Sequence, residues 1–250
     1  MGRGWSRFLG SKERINMFSQ LIKELQQSAD PEKEKVFVRF FKTGKGEYGE
    51  GDQFLGITVP RLRNISKKYQ SLDLKDLQKL LDNKIHEYRL SALMILKFKY
   101  SSFAKASEDM QKEIALFYLK NTKRINNWDL VDLSCHYILG NYLLDKDRKI
   151  LYRLAISKNL WERRIAIIST FEFIRNNQYI DTLKISEILL NDKHDLIHKA
   201  VGWMLRELGK RDKKIEIDFL DKHYKAMPRT MLRYAIEKFN DKEKKFYLSK

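Results

Sequence analysis

The stretch Asn126-Asn127-Trp128-Asp129-Leu130-Val131-Asp132 is the densest gathering of chemically capable side chains in the sequence. Either asparagine can cap a helix starting at Trp128, which puts Asp129 in the first turn, where a carboxylate offsets the positive end of the helix dipole. Trp128 and Asp132 are four residues apart and so project from one helical face, about a turn from each other. An indole beside a carboxylate is either a packed tryptophan with a surface acid or part of a binding groove. The groove reading gains if other tryptophans and arginines converge on it. Trp161 and Arg164 share a later helix at i and i+3, and Trp203 holds a related place further on. Trp161, flanked by Leu160 and Ile165, reads as core. Trp203, beside Gly202, fits either core or groove.

Other constellations point to chemistry that the surrounding residues do not support. His194 and His198, at i and i+4, suit two metal ligands on a helix, yet no third ligand is placed, so they read as surface histidines. Cys135 carries no hydrolase signature and reads as core, and His136 reads as buried beside Tyr137. The loop Thr43-Gly44-Lys45-Gly46-Glu47-Tyr48-Gly49-Glu50-Gly51-Asp52-Gln53 spells GxGxxG, but no βαβ unit surrounds it. Its Glu47, Glu50 and Asp52 would repel a pyrophosphate. It reads as a tight connector that faces DNA, and neither a metal nor an organic cofactor is expected.

Composition narrows the partner. The chain has 250 residues, with 50 lysines and arginines against 33 aspartates and glutamates, a net charge of +17. Its pI is near 9.7. Such an excess attracts polyanions and points to nucleic acid or an anionic membrane surface, although a merely soluble basic chain shares the feature. A single cysteine allows no internal disulfide. No apolar run approaches the roughly 18 residues of a membrane helix, and residues 1–10 lack the apolar stretch of a secretory signal. A cytoplasmic setting is expected, on the nucleoid in a bacterium, with no membrane partner.

The elements that must position these side chains are helices. Three prolines and eleven glycines are few for an all-β fold, and Pro31, Pro60 and Pro228 all suit helix starts. Apolar residues at a spacing of three to four predict helices over Ile15–Gln27, Pro31–Lys42, Pro60–Tyr69, Leu74–Asp82, Glu87–Tyr100, Asp109–Asn121 and Trp128–Leu144. Further helices are predicted over Arg148–Ser157, Trp161–Asn176, Tyr179–Leu190, Leu196–Leu208, Lys214–Tyr224 and Pro228–Phe239. The segments 87–95, 161–168 and 198–205 share early basic residues followed by a small residue among aliphatics. The last two recur after roughly 35–40 residues, close to the HEAT and armadillo repeats. The fold class expected is therefore all-α, an α-α superhelix or solenoid of HEAT/armadillo-like helical repeats with a basic concave groove. A flexible leader over residues 1–12 would precede a single repeat domain over 13–250, most simply a monomer.

Four motifs then carry a resemblance: Phe54-Leu55-Gly56-Ile57-Thr58-Val59-Pro60-Arg61-Leu62-Arg63, Trp128-Asp129-Leu130-Val131-Asp132, Trp161-Glu162-Arg163-Arg164-Ile165-Ala166-Ile167 and Lys199-Ala200-Val201-Gly202-Trp203-Met204-Leu205-Arg206-Glu207. Together, and in this order, the sequence resembles the AlkD-like DNA alkylation repair enzymes over about residues 15–240. The glycine-rich loop departs from the shorter connector of that family's best-studied members.

The resemblance implies a monofunctional DNA glycosylase that excises cationic N3- and N7-alkylated purines from double-stranded DNA without a base-flipping pocket. It implies Asp132 as the catalytic carboxylate, Trp128 and Trp203 as groove aromatics flanking the sugar, and Arg164, rather than Arg163, as a backbone-contacting cation. Arg89, Lys199 and Arg206 are further candidates for phosphate contact, and a salt-bridged helix face is the alternative for each. Lys242, Lys244 and Lys245 are expected in a solvated tail. A non-catalytic HEAT-repeat protein binding branched or damaged DNA is the competing function, and it has no need of Asp132. A scaffold for protein partners accords less well with the net charge.

Overall fold

Helices account for nearly all of the ordered secondary structure in this computed structural model, which describes residues 11–102 and 107–249. In order they are α1 (Ser11–Gln27), α2 (Pro31–Phe40), α3 (Val59–Lys68), α4 (Leu74–Leu81), α5 (His86–Ser102), α6 (Glu108–Lys120) and α7 (Trp128–Asp132). Then come α8 (Lys149–Ala155), α9 (Leu160–Arg175), α10 (Ile180–Leu189), α11 (Asp195–Gly209), α12 (Lys213–His223), α13 (Arg229–Ala235) and α14 (Asp241–Leu248). Among the described residues the nearest approach to a strand is one isolated parallel bridge between Gln53 and Ile85. The chain is all-α, as expected. Residues 1–10 of the expected leader lie outside the described residues, and Ser11 already belongs to α1.

Local chemistry sets the helix starts. Asp30 accepts the Lys33 backbone N–H at 3.1 Å with Pro31 at the first helical position, and Asp73, Asn159 and Asp212 cap α4, α9 and α12 in the same way. Each such cap contributes about 1 kcal/mol.

The chain forms two compact units, one ending at Leu130 and the other beginning at Val131. In the first unit α5 is the central helix and packs on α3, α4 and α6. Its residues Tyr88 to Leu96 are buried without interruption, so it is enclosed on every side, with Arg89 and Ser91 among its buried residues. In the second unit α9 plays that part, packed on α8, α10 and α11, and α11 in turn packs on α12 and α13. The three look-alike segments of the sequence are therefore these central helices. Each fully buried Leu or Ile there contributes roughly 1.5–3 kcal/mol.

Three departures have physical reasons. The helix expected over Trp128–Leu144 is interrupted: α7 ends at Asp132, and a π-helical turn follows over His136–Gly140. The Ser134 N–H bonds to the Val131 carbonyl at 3.1 Å, three residues back, not four. At the far end Gly140 lies so close to α9 that a Cβ there would sit 2.3 Å from the Ser169 carbonyl oxygen. The helix expected over Pro228–Phe239 likewise tightens after Ala235 into a 3₁₀ turn, Ile236–Lys238. The expected solvated tail is instead α14, opened by a reciprocal capping box between Asn240 and Glu243. It is anchored by buried Tyr247, whose hydroxyl donates to Asp221 at 2.8 Å.

Candidate active site

Within the first unit Trp128 stands on a built platform. The glycine-rich loop folds back on itself through its own carboxylates: Glu47 accepts the Gly44 N–H and Glu50 the Gly46 N–H, at 2.9 and 2.8 Å. Gly49 meets the Phe41 carbonyl where any side chain would collide, a Cβ falling 2.4 Å from that oxygen. The loop thereby delivers Asp52 into the protein, where it accepts from Arg89 Nη2 at 2.7 Å and Asn127 Nδ2 at 3.3 Å. His86, the first residue of α5, stands between two carboxylates, with Nδ1 3.4 Å from Asp52 Oδ2 and Nε2 2.8 Å from Asp129 Oδ2.

Burial disfavours a charged His86, but the carboxylates outweigh it and raise its pKa to about 9. Burial also pushes Asp52 up, and the His86 and Arg89 cations reverse this, leaving its carboxyl below the usual range. Glu87 fixes the next segment by accepting the backbone N–H groups of Leu55, Gly56 and Ile57.

Trp128 lies over this network. Its ring stacks on Phe41 at 5.3 Å between centroids, and Phe41 in turn contacts Phe54 at 5.1 Å and His86 at 5.0 Å. Phe40 meets the Trp128 ring edge-on at 5.7 Å and is itself 59% exposed. The exposed cations Arg39 and Lys42 flank it in sequence. Asn127 caps α7 through its own side chain, Oδ1 accepting the Trp128 N–H at 2.8 Å. Asp129, expected only to offset the helix dipole, is also the partner of His86 and is buried.

Asp132 and Trp203 belong to the second unit, and each has partners within that unit. Arg164 on α9 grips Asp132 with a two-pronged ion pair, Nε to Oδ1 at 2.9 Å and Nη2 to Oδ2 at 2.7 Å, while its Nη1 donates to the Leu196 carbonyl. The Arg164 side chain is 6% exposed and that of Asp132 14%, so the carboxylate is the half of the pair that reaches solvent. The fork fixes the orientation of the carboxylate. Trp203 on α11 is half-buried; its Nε1–H donates to Glu207 at 3.1 Å and its ring lies 6.0 Å from Phe171. Cys135 and Trp161 are buried, as expected, and His136 packs against Tyr137 at 3.8 Å. Burial raises the Cys135 thiol pKa far above its ordinary value.

The expected phosphate ligands are differently placed. Arg164 faces Asp132, as described. The Arg89 side chain is 5% exposed and, besides Asp52, it donates to the carbonyls of Asn83 and Lys84. Arg206 pairs with Glu237 and, at 3.6 Å, with Glu207. Lys199 is the most open of the four and pairs with Asp195 at 2.6 Å. For Arg89 and Arg206 the salt-bridged alternative is what the geometry favours. Arg163 pairs with Asp192 at 2.6 Å. His194 caps α11 and His198 bonds the Asp192 carbonyl; among the described residues no group of three or more His, Cys, Asp or Glu is placed to hold a metal. Nor is any described helix long and apolar enough to cross a membrane.

Sequence reading named Asn127 as one of two candidate caps of α7 but missed Phe40, the pairing of His86 and the partners of Asp52. A signal for Phe40 was present: Val36, Phe37, Val38, Phe40 and Phe41 are too many apolar residues for one face of a short helix, so some must be exposed. The His86 pairings span 34 and 43 residues and leave no local trace.

Comparison with known proteins bears on the fold and the family. None of the curated proteins matches the chain. A solved structure described as a predicted DNA alkylation repair enzyme from Enterococcus faecalis is similar in fold, with a TM-score of 0.66 at 16% identity, covering 86% of this chain and 98% of that one. The family model described as DNA alkylation repair enzyme matches residues 21–239, and with most of its length so matched the chain belongs to that family.

Proposed function

We propose that this family member is a DNA glycosylase that hydrolyses the N-glycosidic bond of cationic N3- or N7-alkylated purines in double-stranded DNA. The observation that carries the reading is the Asp132–Arg164 pair: a carboxylate held in one orientation by a buried guanidinium and itself 14% exposed. An alkylated purine already bears positive charge, so its departure takes the C1′–N bonding pair and releases a neutral base without a general acid. Positive charge then grows on the deoxyribose. The negative end of the Asp132–Arg164 dipole stabilises it and orients the water that adds to C1′, whose surplus proton passes to Asp132 or solvent. Indole faces attract the same developing charge, a role that suits half-buried Trp128 and Trp203. The exposed edge of Phe40 widens the aromatic surface at Trp128, and the net charge of +17 draws the enzyme to the duplex.

The test is single-turnover release of N7-methylguanine from a duplex by wild type and by Asp132→Asn, with duplex affinity and thermal midpoint followed in parallel. The variant should lose excision by about a hundredfold or more while holding duplex affinity within about threefold. Equal rates would remove Asp132 from the mechanism. Binding without release by the wild type would establish instead a non-catalytic protein for branched or damaged DNA.

A further inference from the structure

We propose that His86 is a positioning residue for Trp128: as a cation bridging Asp52 and Asp129, it clamps the start of α7 and holds the indole in its working orientation. This rests on the reading of Trp128 as a site aromatic. An ionised carboxylate only accepts hydrogen bonds, so an imidazole whose two nitrogens face two carboxylates donates from both. The charged groups around it are Asp52 from the loop, Asp129 from α7, and Arg89 and Glu87 from α5, with Asn127 as the neutral partner. Setting aside Glu87, which is turned to the backbone of Leu55–Ile57, the cluster balances two carboxylates with two cations only while His86 is protonated. Loss of that proton leaves one buried negative charge uncompensated.

The clamp has two jaws. Through Asp129 it holds the first turn of α7. Through Asp52 it holds the Asn127 amide, whose oxygen caps the Trp128 N–H. The ring of His86 also lies 4.9 Å from Phe54 and 5.0 Å from Phe41, the ring on which Trp128 stacks. Backbone and indole of Trp128 are thus both referred to one imidazole. The glycine-rich loop acquires a reason in the same step, since it is what brings Asp52 to the cluster.

The test uses full-length protein labelled with 5-fluorotryptophan, the Trp128 line assigned by Trp128→Phe, and follows the fluorine spectrum as pH rises from about 7 to about 10. In wild type the Trp128 line should move in one step as His86 loses its proton, near pH 9, while the Trp161 and Trp203 lines stay. His86→Phe keeps the ring contacts and removes both hydrogen bonds; it should abolish that step. It should also slow release of N7-methylguanine by about ten- to a hundredfold with duplex affinity held within about twofold. A Trp128 line that ignores pH in the wild type overturns the proposal, and that measurement does not require the variant to fold. Unchanged excision in a folded His86→Phe overturns it too. If wild type releases no base, the glycosylase reading falls while the fluorine titration still decides the clamp.

Discussion

At the scale of single residues, the site depends on which cations are already engaged. Arg164 is buried against Asp132 and the Leu196 carbonyl, so its guanidinium serves the carboxylate first. Lysine cannot reproduce a two-pronged grip. Arg164→Lys should therefore slow excision by about tenfold or more yet leave the slope of log affinity against log salt unchanged. A slope shallower by about one would place Arg164 on a phosphate instead. The sequence marks Trp128, Asp132 and Trp203 as candidates because helical spacing and a family pattern both pass through them. Asp52 and His86 are not so marked, because a buried ion pair is made by the fold between residues of unrelated sequence neighbourhoods.

At the scale of elements, helix identity followed from apolar spacing and caps, and the ends fell within a few residues of expectation. The breaks did not, because the π-helical turn after α7 keeps the apolar spacing of a continuous helix and owes its form to the backbone contact of Gly140 with α9. A comparable approach joins α11 to α13: a Cβ on Gly202 would lie 2.4 Å from the Met231 carbonyl oxygen and 2.5 Å from Tyr234 Cβ. Gly202 is the neighbour of Trp203, so this contact sets the height at which the indole stands. Gly202→Ala should destabilise the fold by about 1–3 kcal/mol through overpacking. It would show as a lower urea midpoint at unchanged m; an unchanged midpoint would mean that α13 yields freely.

At the scale of the whole molecule, two buried groups make stability depend on pH. Burial raises Glu216 from 4.5 to about 8, Lys213 and Arg206 opposing the shift only in part, and the carboxylates around His86 raise it from 6.5 to about 9. A group with a higher pKa folded than unfolded stabilises fully below its unfolded value and loses that contribution as pH climbs through the folded one. Stability should therefore decline between about pH 5 and about pH 9. Asp52 and Asp195, whose pKa values are lowered, give way only in acid. Thermal midpoints across that range check this, and Glu216→Gln should flatten the lower part of the slope; a midpoint that rises toward pH 9 would contradict it. The net charge was plain in the sequence, whereas the sign of this pH dependence needed the burial of Glu216 and the pairing of His86. The chain's single thiol has a consequence of another kind. Methylating reagents that make cationic purines also attack thiolates, and Cys135 is wholly enclosed and held protonated. While folded, the protein therefore presents no cysteine thiolate to such reagents.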